Sequence, residues 1–189
     1  DLRRLYDTYD RLMRERIGAE TPLASPSRRP GRTRVGYVSA DFREHIMGRL
    51  LQDVIGAHDR DRYEIRLYSL APPSLADAAT DRFRALADRF VELPRRELDA
   101  ARAIAADDCD VLVDLAGHTT FSRPGILARK PARRIVTHLG SHGAVGLSQV
   151  DFKLTDRHAD VADAARYQIE RPLPMAGCVL PFRRARRSP

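Results

Sequence analysis

Hydrophobic and polar positions along this chain alternate between a strand period and a helix period. Short apolar runs predict strands at 35–38, 64–70, 90–93, 111–115, 134–139 and 152–155. Apolar residues at spacings of three and four predict helices at 46–55, 77–87 and 97–106, with a helical turn at 126–129. Because strands and helices alternate, the pattern predicts an α/β fold, a Rossmann-like parallel sheet with helices on both faces.

An amphipathic helix is predicted before this alternation begins, over residues 1–17. Its apolar residues are Leu2, Leu5, Tyr6, Tyr9, Leu12, Met13 and Ile17. Such a stripe must pack on something, either the domain that follows or a module that precedes it. Residues 18–33 are rich in proline and glycine, which is typical of a linker. The expected domain is then 34–180, followed by a basic tail at 181–189.

Length and composition are those of one ordinary globular domain. The chain has 189 residues, of which 43% are hydrophobic, enough to form a core. No apolar run approaches the ~20 residues that span a bilayer, and the charged first sixteen residues do not resemble a signal peptide. We therefore expect a cytoplasmic protein without a membrane partner. Its two cysteines, Cys109 and Cys178, are expected to be unpaired.

The formal net charge of +7 is concentrated in two arginine clusters, at 28–34 and at 183–187. Basic clusters bind nucleic acid or acidic surfaces in many proteins. Here tryptophan is absent, aromatic residues are few and no nucleic-acid-binding motif is present. Solvated basic segments are the favoured interpretation, and nucleic acid is the alternative. No Gly-x-Gly-x-x-Gly follows the first strand, so dinucleotide binding is not supported.

Candidate chemistry falls where strands end, because open parallel sheets bind ligands at the carboxyl ends of their strands. Asp41 and His45 lie on the turn after the first strand, and His45 is suited to acid or base work near neutral pH. A surface histidine and a helix-capping aspartate are the alternatives for these two. Asp114 lies at the carboxyl end of the central strand, and Gly117 and His118 follow just after it; all three are candidate substrate contacts. An aspartate that only caps the turn is the alternative for Asp114.

A glycine-containing loop follows the fifth predicted strand and carries Gly140, Gly143 and Gly146. Glycines allow a close approach of backbone to ligand and can present N–H groups to phosphate. The alternative is a flexible connection without a ligand. Histidines at 118, 138 and 142 do not have the spacing of a metal site, so no metal is expected.

Four segments carry a family resemblance. Val-Gly-Tyr-Val-Ser-Ala-Asp-Phe-Arg-x-His at 35–45 resembles the opening strand and loop of the catalytic region of O-GlcNAc transferases and their SPINDLY-like relatives. Segments 60–69, 110–119 and 130–146 match further motifs of that family in the same order. The resemblance covers about residues 33–175. It implies the first half of a GT-B glycosyltransferase, whose two Rossmann-like halves face each other across a cleft.

The resemblance further implies an inverting, metal-independent transfer of a sugar, with GlcNAc expected, from a UDP-sugar to Ser/Thr hydroxyls of proteins. His45 matches a histidine of the family active site that has been proposed as the base. The other half of the enzyme would hold most of the UDP-sugar, no further cofactor is implied, and tetratricopeptide repeats would precede the helix at 1–17. Alone, this chain is expected to be inactive. Residues 116–118 are Ala-Gly-His where the family has Asn-Gly-Tyr. This divergence leaves a degenerate, non-catalytic module that binds a protein or peptide as the alternative.

Overall fold

A computed structural model describes residues 1–18, 22–24, 27–140 and 143–181 of the chain. The helices in these ranges are α1 (Leu2–Ile17), α2 (Ile46–Gly56), α3 (Ala78–Leu86), α4 (Glu97–Ala106) and α5 (Pro124–Leu127). The strands are β1 (Thr33–Ser39), β2 (Tyr63–Ser69), β3 (Arg89–Glu92), β4 (Val111–Asp114), β5 (Arg134–Thr137), β6 (Phe152–Thr155) and β7 (Arg171–Pro174). Short 3₁₀ turns lie at Pro73–Leu75 and Ala164–Arg166.

All seven strands form one parallel sheet in the order β3-β2-β1-β4-β5-β6-β7. The predicted Rossmann-like parallel sheet is thereby confirmed, and the run at 111–115 is its central strand. Strand β7 was not predicted, because its sequence Arg-Pro-Leu-Pro contains two residues that cannot donate a ladder hydrogen bond. At the edge of the sheet β7 pairs only with β6, and proline is tolerated there.

Helices cover both faces of the sheet, as the alternation predicts. On one face Leu51 of α2 and Phe83 of α3 pack on Leu67 of β2 in a continuous apolar core. On the other face Ile104 of α4 packs with Leu112 of β4, and α1 and α5 contribute to the same core. The two cores hold the sheet between its two layers of helices. Because the strands are parallel, the loops that leave their carboxyl ends emerge at one edge of the sheet.

Helix α1 packs on the domain that follows it, which is one of the two alternatives for its apolar stripe. Met13 and Ile17 are buried in the core shared with α4 and α5. Part of the apolar stripe stays outside the core, because Leu2, Leu5 and Leu12 are 48%, 66% and 52% exposed. The buried position in the middle of the helix is instead polar. Asp10 accepts hydrogen bonds from the backbone N and the Oγ of Ser148, both at 2.9 Å.

The predicted linker contacts the domain in its described parts. Leu23 and Ala24 donate backbone hydrogen bonds of 2.9 Å to the carbonyls of Arg129 and Lys130. Within the described ranges, no helix is long and apolar enough to cross a membrane. The arginines of the tail at 183–187 lie outside the described residues, so their role stays a prediction.

Candidate active site at the carboxyl edge of the sheet

The loops after β1, β4 and β5 are neighbours, because these strands are adjacent in the sheet. Phe42 in the first loop and Leu115 in the second are buried in one core cluster, and Leu139 of the third packs against it. The predicted site residues after these strands therefore share one edge of the molecule. This edge is where open parallel sheets bind ligands.

His45 itself is the N-cap of α2, so the helix is not capped by Asp41. Its Nδ1 accepts a hydrogen bond from the backbone N of Met47 at 3.3 Å. Because an amide N–H can only donate, Nδ1 of the capping imidazole carries no proton. The neutral form of His45 therefore carries its hydrogen on Nε2. With its side chain 38% exposed, His45 can present this N–H to a ligand.

Asp41 lies beside the ring of His45 and the guanidinium of Arg43. Its Oδ2 is 3.5 Å from Nδ1 of His45, and its Oδ1 is 3.4 Å from a guanidinium nitrogen of Arg43. The backbone N of Asp41 donates to Oγ of Ser39 at 3.0 Å. The loop is also tied to the next helix, since Asp77 at the N-cap of α3 accepts from the backbone N of Glu44. These contacts fix the loop that carries His45.

Gly48 is a site residue that the sequence analysis missed. A Cβ at this position would lie 2.3 Å from the carbonyl oxygen of Arg43 and 2.7 Å from that of Asp41. Only glycine therefore lets the loop after β1 close against the first turn of α2. The available signal was a glycine inside a helical pattern, which is unfavourable unless packing requires it.

Asp114 and Gly117 close the turn after β4. The Asp114 carboxylate accepts from the backbone N of Ala116 at 3.1 Å, from that of Gly117 at 3.0 Å and from Oγ1 of Thr137 at 3.2 Å. Burial raises the pKa of Asp114, although these hydrogen bonds oppose the rise. Gly117 is buried and has a φ of 51°. This is the arrangement of the turn-capping alternative for Asp114.

Two of the three glycines after β5 have internal roles in the structure. A Cβ on Gly140 would lie 2.2 Å from the carbonyl oxygen of Leu115, so this glycine permits two loops to touch. Gly146 is buried with a φ of 78°, and its N donates to Oε1 of Glu170 at 2.7 Å. Its N–H is therefore not free for a phosphate. Gly143 is exposed and stays a candidate ligand contact.

Glu170 is a buried carboxylate that the sequence analysis did not single out. Its Oε1 accepts from Leu147 as well as Gly146, and burial raises the pKa of Glu170. Glu170 directly precedes strand β7, which has no strand-like sequence pattern, so the local pattern does not indicate a buried position there. Glu170 thereby holds Gly146 and Leu147, in the segment after β5, in place.

His118 stands on the surface at the end of the central strand. Its Nε2 lies 2.8 Å from the carbonyl oxygen of Val145, and the ring of Tyr9 contacts it edge-on at 5.7 Å between centroids. The next histidine, His138, is different: burial lowers its pKa to about 4. Among the described residues, no group of three or more His, Cys, Asp or Glu side chains could hold a metal ion.

A cavity of about 730 Å³ opens at the same edge. It lies between the ends of β2 and β3 and the loop after β4, and its lining includes Leu70, Leu93, Phe121 and Arg123. Phe121 is 42% exposed and has a φ of 66°, an unusual conformation for a bulky residue. The cavity thus combines an apolar lining with one exposed aromatic ring and a cation.

Comparison with solved structures places this fold in the class of GT-B glycosyltransferases. A mutant of the O-GlcNAc transferase from Thermobaculum terrenum superposes with a TM-score of 0.78 and 34% sequence identity, over 89% of this chain and 33% of that one. The model of glycosyl transferase family 41 matches residues 17–174. The chain therefore belongs to glycosyl transferase family 41, which confirms the resemblance found in the sequence.

Curated relatives agree with this assignment. The chain is 28% identical over 185 residues to the probable UDP-N-acetylglucosamine–peptide N-acetylglucosaminyltransferase SEC of Arabidopsis thaliana, covering 94% of this chain and 19% of the relative. It is 33% identical over 156 residues to the UDP-N-acetylglucosamine–peptide N-acetylglucosaminyltransferase of Caenorhabditis elegans, covering 78% and 13%. The chain spans about a fifth or less of the length of these relatives, and its match lies in the N-terminal region of their catalytic domain.

Proposed function

We propose that this chain forms the acceptor-side part of an enzyme that transfers a sugar from a UDP-sugar to Ser/Thr hydroxyls of proteins. GlcNAc is the proposed sugar, and the reaction is inverting and needs neither a metal nor another cofactor. One observation carries the proposal: the family 41 model matches residues 17–174, and the relatives are named peptide N-acetylglucosaminyltransferases. A cytoplasmic location is proposed with it.

His45 is the proposed catalytic residue on the β1 side of the edge. In the tautomer selected by the cap, Nε2–H can donate to a sugar or diphosphate oxygen, where negative charge develops in the transition state. Asp41 and Arg43 hold the loop in place. Gly140, Gly143 and His118 are the proposed substrate contacts from the neighbouring loops. The cavity beside Phe121 is the proposed binding place for residues that flank the acceptor hydroxyl.

The division of labour is part of the proposal. The chain covers 33% of the solved O-GlcNAc transferase chain, and we assign most of the UDP contacts to regions of the relatives beyond this match. Transfer requires both substrates to be held together in one geometry. Residues 1–189 alone are therefore expected to be inactive. Tetratricopeptide repeats before α1 are proposed as well, and the exposed leucines of α1 suit a helical neighbour.

The test uses the protein in its natural length. It is incubated with UDP-GlcNAc and a library of Ser/Thr-containing peptides, and mass spectrometry follows the addition of one N-acetylhexosamine. We expect transfer that His45→Ala reduces by at least tenfold, while the substitution His158→Ala, at an exposed histidine after β6, leaves it unchanged. Peptide binding without transfer, unaffected by His45→Ala, would instead support the non-catalytic module.

Calorimetry tests the division of labour separately. UDP and UDP-GlcNAc are titrated into residues 1–189. We expect no binding at millimolar ligand. Clear binding would place the nucleotide site on this part of the enzyme and would refute the proposed assignment of UDP contacts to the remaining part.

A further inference from the structure

The proposed transfer needs a group that takes the proton of the acceptor hydroxyl, and histidine is the side chain best suited to this near neutral pH. The chain has six histidines. His142 lies outside the described residues. His58 precedes β2 at the opposite edge and pairs with the hydroxyl of Tyr37. His138 is largely buried and its pKa is lowered to about 4.

The three remaining histidines differ in which nitrogen can accept a proton. In His45, Nδ1 is occupied as the cap of α2, so the outward Nε2 carries the hydrogen of the neutral ring. In His158, which follows β6, Nε2 accepts from Nε of Arg157 at 2.8 Å. In both neutral rings, the nitrogen without a hydrogen already accepts a hydrogen bond from the protein. Neither neutral ring has an acceptor nitrogen left for a substrate proton.

His118 has the opposite arrangement. Its Nε2 lies 2.8 Å from the carbonyl oxygen of Val145, and a carbonyl can only accept. Nε2 therefore carries the hydrogen, and Nδ1 of the neutral ring is the acceptor. Among the described residues, the hydrogen bond that the structure gives this ring is the one at Nε2. The hydrogen bond of one ring nitrogen thus selects the tautomer in which the other nitrogen is a base.

The ring of His118 is also held in orientation. Tyr9 packs against it edge-on, with 69° between the planes. The Val145 carbonyl is itself held in place, because the next two amides donate to the buried Glu170. The titratable groups that face His118 are Tyr9 from α1 and Asp114 from β4. A ring held by two contacts from distant parts of the chain is a positioned group, unlike a freely rotating surface histidine.

We propose that His118 is the general base of the transfer, with Tyr9 as a positioning residue; this rests on the proposed function. The oxygen of the acceptor hydroxyl bonds to the anomeric carbon while its proton passes to Nδ1 of His118. The bond from the anomeric carbon to the β-phosphate oxygen breaks with its electron pair, and UDP leaves. The imidazolium then releases the proton from Nδ1 to solvent, while Nε2–H stays on the Val145 carbonyl.

The first experiment tests the tautomer and needs no activity. Long-range ¹H–¹⁵N spectra of histidine-labelled residues 1–189 and of the natural-length protein, at a pH where the rings are neutral, report which nitrogen of each ring is protonated. His118→Gln assigns the signal of His118. We expect the Nε2–H tautomer for this ring. The Nδ1–H tautomer, or an exchanging mixture of both, would overturn the proposal whether or not the protein transfers sugar.

The second experiment measures transfer by the natural-length protein as a function of pH. Glutamine at 118 can still donate to the Val145 carbonyl but cannot act as a base. We expect His118→Gln to lower kcat by about 10²- to 10⁴-fold with little change in KM, and to abolish the fall in kcat/KM at low pH. His158→Gln is the matched control and is expected to leave both unchanged. An active His118→Gln with the acid limb intact would refute the base, whereas no transfer by the unaltered protein would refute the proposed function.

The positioning role of Tyr9 has its own readout. Tyr9→Phe keeps the ring against His118, and Tyr9→Ala removes it. We expect Tyr9→Phe to behave like the unaltered protein and Tyr9→Ala to lower kcat severalfold with KM maintained. An equal loss in both variants, or a loss confined to KM, would contradict the positioning role.

Discussion

Replacing Gly48 by alanine tests whether the loop that carries His45 is locked against α2. The added Cβ would lie 2.3 Å and 2.7 Å from two backbone oxygens, those of Arg43 and Asp41. Both distances are below any normal carbon–oxygen contact, and neither oxygen belongs to a flexible side chain that could rotate away. The loop after β1 must therefore move, or the first turn of α2 must unwind.

The size of the effect follows from two opposing terms. Forcing one extra carbon into a packed site costs about 1–3 kcal/mol, while replacing a helical glycine by alanine gains about 1 kcal/mol. Gly56 lies in the same helix and supplies the control, because a Cβ there would only meet Leu86 at an ordinary 3.7 Å. Gly56→Ala therefore gains helix propensity but introduces no clash. The difference between the two variants isolates the clash, at about 1–3 kcal/mol.

Urea unfolding of both variants measures this difference, and hydrogen exchange shows where the change lies. We expect Gly48→Ala to be less stable than Gly56→Ala and to expose the amides of Glu44 and Met47, which donate to Asp77 and His45. In the natural-length protein Gly48→Ala should lower kcat. Equal stability of the two variants, with unchanged exchange at both amides, would show that the loop is not locked by Gly48.

Two further predictions concern buried titratable groups. The lowered pKa of His138, about 4 against 6.5, means that the unfolded chain takes up a proton that the folded protein resists, so stability should fall by about 3 kcal/mol as pH drops from 6.5 to 4. Urea unfolding across this range should show that slope, and His138→Leu should flatten it. Burial raises the pKa of Cys109 to about 11, whereas Cys178 is exposed. One thiol should therefore react with a thiol reagent in the native protein and two in denaturant, and two fast native thiols would contradict the buried position.

Much of the fold could be predicted because its elements carry strong local periodicity. The structure has α4 at Glu97–Ala106 and β6 at Phe152–Thr155, which are the predicted ranges. Helix α2 begins at the predicted residue, Ile46, but its N-cap is a histidine and not an aspartate. Strand β7 was missed because edge pairing, and not local propensity, makes Arg-Pro-Leu-Pro a strand. Local sequence patterns therefore predict the elements that local propensity favours, and they miss a strand that forms only by pairing with its neighbour.

The sequence was less informative about which loop residues face a ligand. Asp114 is the last residue of β4 and Gly146 lies in the segment after β5, where a ligand is expected, yet their polar groups are satisfied internally by Thr137 and Glu170. These partners are more than 20 residues away along the chain, so no local pattern reveals them. After β4, Asp114 and Gly117 close the turn, and the side chain of His118 just beyond it stays exposed.

The range of the contacts also decides the chemistry of the histidines after β1 and β4. From the sequence, His45 is the acid or base candidate and His118 a candidate substrate contact, each a few residues after a buried strand. The tautomer of His45 is set by Met47, two residues away, and that of His118 by Val145, 27 residues away. One ring therefore presents a donor from the β1 side of the edge and the other an acceptor from the β4 side. A transfer that stabilises a developing anion while it removes a proton needs one group of each kind, and only the long-range contact creates the second.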